Sequence, residues 1–316
     1  MNESKPAAPA LAYVALVVDE PARTASVFSD VLGLPLFHFS TANHSSVPIT
    51  PLGASALAFF GRGEQAVDAT AHTGVHHISL SAADPAGAAN AWGFSQWTTR
   101  DGLAGADEIV LAPEQTADVQ VHIARPLAIA PATSAHVERI DHIGVASADN
   151  LLAHKVFAKQ LGCAVESTQT DFEIAQPIES FTSDKYGVVH HSRTPEPIGG
   201  LRVSFLTVGD CELEFLQPFS PNADSASGEA PVADGPGNTR GDKGAIGRYI
   251  ERRGTGLHHL ALKTPDIDAT LSKLAASGHR MIDLQGRPGS RRARIGFAHP
   301  AALGGLLVHF VEREEL

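Results

Sequence analysis

At 316 residues and 43% hydrophobic content the chain has the size for two ordinary domains and the composition of a folded globular protein, which excludes a disordered one. A formal net charge of −11, with no basic patch of useful size, argues against a nucleic-acid partner. Apolar stretches such as residues 10–18 fall short of the roughly 20 residues a membrane helix needs, and the Asn-Glu-Ser-Lys start lacks a signal-peptide apolar region, so a soluble cytoplasmic protein without a membrane partner is expected.

Taken in chain order, the first informative segment is LAYVALVVDEPARTASVFSDVLGL (residues 11–34), because it returns without a gap as RIDHIGVASADNLLAHKVFAKQLGC (139–163). Tyr13 then matches His142, and Val27-Phe28 matches Val156-Phe157. TGVHHISL (73–80) returns as TGLHHLAL (255–262), and VQVHIAR (119–125) as LLVHFVE (306–312). The same three elements in the same order make the chain a duplicated domain. RPLAIAPATSA (125–135), Pro/Ala-rich and poor in charge, marks the joint. The expected division is a degenerate domain over 10–125, a linker over 126–137 and a metal-binding domain over 138–316.

Within the second copy, residues 220–244 are dense in Gly, Pro, Ser, Asp and Asn and read as a long irregular loop over a site. GLHHLALK (256–263) reads as a buried strand, and Thr264-Pro265-Asp266 as an N-cap, a first-turn proline and a first-turn acid. Ile267, Leu271 and Leu274 share one face of the helix that follows, which Gly278 ends. RMIDL (280–284), ARIGFA (293–298) and LLVHFVE complete a strand, helix and three strands. Four such βαβββ units fill the chain, an α+β fold in which paired units form two domains with curved mixed sheets around a cleft.

The candidate chemistry lies in the second copy. His142, Glu214, His259 and His309 each stand in a strand-like segment where the pleat fixes the side-chain direction. His309 shares a face with Leu307 and Val311, and Glu214 with Glu212 and Leu216. A single histidine in a strand is more often a hydrogen-bonded core residue. Four candidates at repeat-equivalent places, two opening units and two closing them, would be brought to one point by pseudo-twofold symmetry. Three imidazoles and a carboxylate suit one borderline divalent ion (iron, cobalt, nickel, manganese or zinc) and disfavour calcium. His258 is expected on the opposite face of its strand from His259. His190 and His191, after Tyr186, are candidates to line the cleft, with solvated loop positions as the alternative. RPGSRRAR (287–294) reads as a charged surface loop, with an anion-binding stretch as the alternative, and Glu212 as a sheet-edge charge. The first copy has Tyr13, Ala58, His77 and His122 at the four positions, and two imidazoles seldom hold a metal unaided. Sixteen histidines and two cysteines, Cys163 and Cys211, without a CxxC pair favour imidazole ligation over a zinc knot or disulfide scaffold.

IDHIGVASAD with its apolar helix, VGDCELEFLQP, RYIERRGTGLHHLALKTPDIDATLSKLAASGHRMID and ARIGFAHPAALGGLLVHFVE together resemble the methylmalonyl-CoA epimerase branch of the vicinal-oxygen-chelate (glyoxalase, bleomycin-resistance, extradiol dioxygenase) superfamily. The resemblance spans nearly all of residues 138–312, and the first half shares only the outline. It implies a divalent metal in the cleft, with substrate oxygens chelated to it. Carried over by position, His142, Glu214 and His259 keep the metal-binding pattern, whereas His309 stands where the epimerases have a glutamate that is both ligand and base. A second acid of some epimerases falls near Val203. The expected activity is a metal-dependent epimerase or isomerase acting beside a carbonyl or thioester through a metal-stabilised enolate, with Glu214 and His309 as catalytic residues. Its substrate would be a small carbonyl, carboxylate or CoA-thioester compound, and the chain a monomer or homodimer. Two other readings stand beside it. One is an iron-dependent extradiol or 2-oxo-acid-type dioxygenase with His142, His259 and Glu214 as its triad. The other is a metal-free ligand-binding protein of the drug-sequestering kind.

Overall fold

The computed structural model describes residues 8–64, 67, 71–220 and 239–314. The chain forms four βαβββ modules. The first comprises β1 (Leu11–Val17), α1 (Pro21–Ser26), β2 (Phe37–Ser40), β3 (Ser46–Leu52) and β4 (Ser55–Phe60). The second comprises β5 (Gly74–Ser81), α2 (Pro85–Ala91), β6 (Trp97–Asp101), β7 (Asp107–Leu111) and β8 (Val121–Ala124). The third runs through β9 (Arg139–Ala146), α3 (Asn150–Ala153), β10 (Ala164–Ala175), the hairpin of β11 (Ile178–Ser183) and β12 (Gly187–Ser192), β13 (Glu196–Val208) and β14 (Cys211–Phe219). After α4 (Thr239–Arg253), the fourth follows as β15 (Gly256–Lys263), α5 (Ile267–Ala276), β16 (Arg287–Pro288), β17 (Arg294–Phe297) and β18 (Val308–Glu312).

These strands build two curved eight-stranded sheets of the same plan, β2-β3-β4-β1-β5-β8-β7-β6 and β10-β13-β14-β9-β15-β18-β17-β16. In each, the first strands of two modules pair antiparallel at the centre, and each pairs parallel with the last strand of its own module. The hairpin β11–β12 stands apart as its own small sheet. Side-chain alternation along the strands separates two surfaces. Ile143 and Val145 of β9, Leu213 and Phe215 of β14, Leu260 and Leu262 of β15, and Val308 and Phe310 of β18 join the helices in one buried core. The same core takes in Leu16, Phe28, Phe59 and Trp92 of the first half, so both halves share it. Gln160 Nε2 donates to Trp92 O at 2.9 Å across this junction.

Several local expectations need correction. The N-cap of α5 is Asp266, whose carboxylate accepts from Ala269 N, while Thr264 bonds Thr270 at 2.9 Å behind it. RMIDL contributes an isolated bridge from Met281 to Ala298, and the edge strand forms later, at Arg287–Pro288. Of the stretch at 220–244, residues 221–238 lie outside the described residues, and Thr239 onward is the start of α4 rather than loop. Gly278 at φ +85° does terminate α5, in the left-handed conformation that favours glycine. Both cysteines are free and buried. Among the described residues no helix is long and apolar enough to cross a membrane.

Candidate metal centre

The other face of the second sheet lines a cavity of about 700 Å³. The alternation that sends Ile143, Leu213, Leu260 and Val308 to the core sends His142, Glu214, His259 and His309 to this side, where all four line the cavity. The strand order β14-β9-β15-β18 sets them side by side as Glu214, His142, His259, His309. The three imidazoles offer one nitrogen each within 4.8 Å of one another. Glu214 Oε2 lies 3.4 Å from His142 Nε2 and 3.3 Å from His259 Nε2. The His309 ring centre is 5.1 Å from that of His142 and 5.0 Å from that of His259. The pairing register also aligns Ala58 with Glu214, since Ala15↔Ala58 in the first half occupies the place of Gly144↔Glu214 in the second.

All four side chains are buried, with exposures of 5–8%. Two of their nitrogens, His259 Nε2 and His309 Nδ1, are buried without a hydrogen-bond partner. At 3.3 Å the approach of His259 Nε2 to Glu214 lacks hydrogen-bond alignment. Orphaned buried lone pairs are costly unless something takes them up, and a cation does. The donor set of imidazoles and one carboxylate fits a borderline divalent ion.

The electrostatics follow from this packing. Burial, together with the neighbouring His259 and His142, holds His309 well below the ordinary histidine range. Burial opposes the charge on His142 too, but Glu214 and Asp141 outweigh it and raise its pKa. Glu214 is lowered, burial being overcome by His142 and His259, so it is a carboxylate.

Expectations about the neighbours are revised. His258 lines the cavity with His259, because the β9–β15 register shifts between Leu257 and His259 and the strand bulges there. Their Nδ1 atoms are 3.1 Å apart, and burial with His259 beside it lowers His258 to about 3. Glu212 is not at a sheet edge, since β14 is paired on both sides; it lies 2.7 Å from Arg291 Nη1 and 3.8 Å from Arg313. Arg291 itself turns inward from the 287–294 loop, with its guanidinium 3.5 Å from the centre of the Phe205 ring and a left-handed φ of 52°. His190 and His191 are exposed on β12, outside the cavity lining.

Two contributors were missed from sequence. Asp141, fully buried, accepts from His142 Nδ1 at 2.8 Å and pairs with Arg313 at 2.9 Å. Gly144 leaves the room in which the His259 ring lies, since a Cβ there would overlap it. The Asp-His pair in IDHIG was the available signal for the first. Helix α4 closes one side of the cavity, with Ile246 packed on Leu201, Val203 and Leu216.

A family model described as the glyoxalase/bleomycin resistance protein/dioxygenase superfamily matches residues 141–297. The uncharacterized protein YqjC of Bacillus subtilis (strain 168) is 23% identical over 176 residues, 56% of this chain and 93% of that protein. The mitochondrial methylmalonyl-CoA epimerase of Bos taurus is 21% identical over 170 residues, 54% of this chain and 71% of that protein. Among solved structures, a mutant of 4-hydroxymandelate synthase from Streptomyces coelicolor shares the fold across both halves, with a TM-score of 0.61 at 13% identity over 97% of this chain and 93% of that one.

Proposed function

Starting from a chain that belongs, through residues 141–297, to the glyoxalase/bleomycin resistance protein/dioxygenase superfamily, we propose that it is a metal-dependent isomerase or epimerase acting at a carbon beside a carbonyl or thioester. The observation that carries this reading is the run Glu214, His142, His259, His309 across four adjacent strands, with two orphaned nitrogens among them. His142 and His259 in the middle would hold the ion, with Glu214 and His309 on either flank completing its shell. Once bound, such an ion stabilises the negative charge that develops on a carbonyl oxygen when the neighbouring proton leaves.

The chain's own groups do the rest. Glu214, ionised at the site, takes the proton from the carbon at its carboxylate. His309, kept neutral by burial, offers its lone pair to the ion, so Glu214 is the group that both takes the proton and returns it. Asp141, holding His142 by Nδ1, leaves Nε2 free to face the site. Leu201, Val203, Leu216 and Ile246 give the cavity an apolar wall for the substrate's carbon skeleton.

One observation favours a second reading. His142, His259 and Glu214 have the composition of a two-histidine, one-carboxylate triad, the set used by iron-dependent oxygenases. Metal analysis of protein purified without chelator, for wild type and His259→Ala, separates the two when followed by an oxygen-uptake assay. Deuterium wash-in at the 2-carbon of methylmalonyl-CoA in heavy water is the third arm. About one metal per chain, lost in the variant, with wash-in and no oxygen consumed on catechols or 2-oxo acids, is the expected result. Iron with substrate-dependent oxygen uptake overturns it in favour of the dioxygenase. A chain that binds no metal in either form removes both.

A further inference from the structure

The first half contains a second cluster with the same kinds of group, and an arginine sits in it. Tyr13, His77 and His122 occupy the places of His142, His259 and His309, while Ala58 leaves the place of Glu214 without a carboxylate. Glu108 of β7 supplies one from another strand. The registers Val110↔His122 and Phe297↔His309 put Glu108 where the second half has Ile295. His77, Glu108 and His122 are each fully buried, and one ligand atom from each lies within 4.8 Å of the others.

Arg100 reaches this cluster from β6. A single nitrogen, Nη2, lies 2.8 Å from Glu108 Oε2, 2.9 Å from His122 Nδ1 and 3.5 Å from His77 Nε2. Its Nε adds a bond of 3.1 Å to the same carboxylate oxygen. The other oxygen, Oε1, accepts from Tyr13 and Ser79 at 2.6 Å each. A guanidinium is a donor without acceptor capacity, so an imidazole nitrogen facing it at 2.9 Å presents its lone pair. That is the state a metal ligand needs. His122 Nδ1 also lies 3.4 Å from Glu108 Oε1, so the guanidinium is the nearer of its two neighbours in the cluster.

We propose that the N-terminal half retains a divalent-cation site in which the guanidinium of Arg100 occupies the cation's place, so that this half is closed to metal and opens to a borderline divalent ion when the guanidinium is removed. The chemistry of the set, two imidazoles and a carboxylate with Tyr13 alongside, suits zinc or cobalt(II). The assignment also sets the state of the first half. Its ligands are present, and an internal cation that stays charged at any working pH competes for them.

A buried ion pair that does nothing but lock the core would also suffer when Arg100 is lost, so stability alone does not discriminate. Metal uptake does. In a His259→Ala background, which removes a residue of the second-half centre from every arm, cobalt(II) binding is measured by equilibrium dialysis and by the visible absorption of bound cobalt. The expected result is about one additional cobalt per chain for Arg100→Ala over its parent, abolished again by adding His122→Ala. Arg100→Lys, which restores a cation, stays closed. Should Arg100→Ala fail to fold with or without cobalt, Arg100→Met keeps the apolar stem and is read in the same way. A folded Arg100→Ala or Arg100→Met chain that takes up no additional cobalt overturns the proposal. Because each arm is compared with its own parent, the outcome does not depend on whether the second half binds metal.

Discussion

Asp141 Oδ2 accepts a hydrogen bond from Nδ1 of its sequence neighbour His142 at 2.8 Å, and both are buried. Burial opposes ionisation of this carboxyl, but His142, Arg313 and Arg139 prevail and hold it at about 2. The charged acceptor fixes the ring and its tautomer, which turns Nε2 toward Glu214. Outer partners of this kind are worth roughly 10–100-fold in metal affinity. Asp141→Asn should therefore weaken zinc binding by about that factor while leaving the stoichiometry unchanged, as read by competition titration with a chromogenic chelator. Unaltered affinity would mean that the pair serves only Arg313 and the fold.

Gly144 matters for a different reason. It sits on β9 between Ile143 and Val145, with its would-be Cβ direction filled by the His259 imidazole of the next strand. Its backbone is not in the left-handed region, so alanine meets no conformational penalty there. The penalty is steric and falls on His259. Gly144→Ala is expected to remain folded by circular dichroism and to lose its metal, because the ring must leave the position from which Nε2 approaches Glu214 Oε2 at 3.3 Å. A variant that retains full metal content would show that His259 is not needed for the ion.

These two residues also mark where sequence reading stops. The repeat offset and strand alternation were enough to bring His142, Glu214, His259 and His309 to one surface, because a period of two is a local property and the duplication carries it twice. His258 was misassigned because alternation fails at a bulge, and the bulge follows from how β9 and β15 pair rather than from either segment alone. Glu212 and Arg291 were read as surface charges, since nothing local says that the 287–294 loop folds back over β14. Glu108 and Arg100 were missed for the same reason. They enter the first-half cluster from β6 and β7, outside the three repeated segments.

Helix α4 owes part of its position to Tyr249, whose hydroxyl donates to Leu257 O at 2.8 Å and whose ring centre lies 5.1 Å from that of His258. Leu257 is the residue before the bulge. Tyr249→Phe removes one hydrogen bond, worth about 1 kcal/mol, and loosens the helix over the cavity. The expected outcome is a small loss in urea stability with faster proteolytic cleavage within residues 239–253. A cleavage rate equal to wild type would show that Ile246 and its apolar neighbours hold α4 without help.

The last prediction concerns acid. Burial works against the Glu108 carboxylate, but His122, Arg100 and the Ser79 hydroxyl overcome it and lower its pKa from 4.5 to about 2. A depressed carboxyl binds its proton more weakly folded than unfolded, so its contribution is fully present above pH 4.5 and is lost as the pH falls toward 2. At 1.36 kcal/mol per unit the contribution is on the order of 3 kcal/mol. Glu108→Gln has no such proton to take up. The variant should be less stable than wild type at neutral pH, where Arg100 loses its anionic partner, and the gap should narrow by about that amount between pH 5 and pH 2.5. Urea unfolding at both pH values, followed by near-ultraviolet circular dichroism, measures the difference. A gap that stays constant across this range would place the acid sensitivity of the chain elsewhere, with Asp141 the next carboxyl held at about 2.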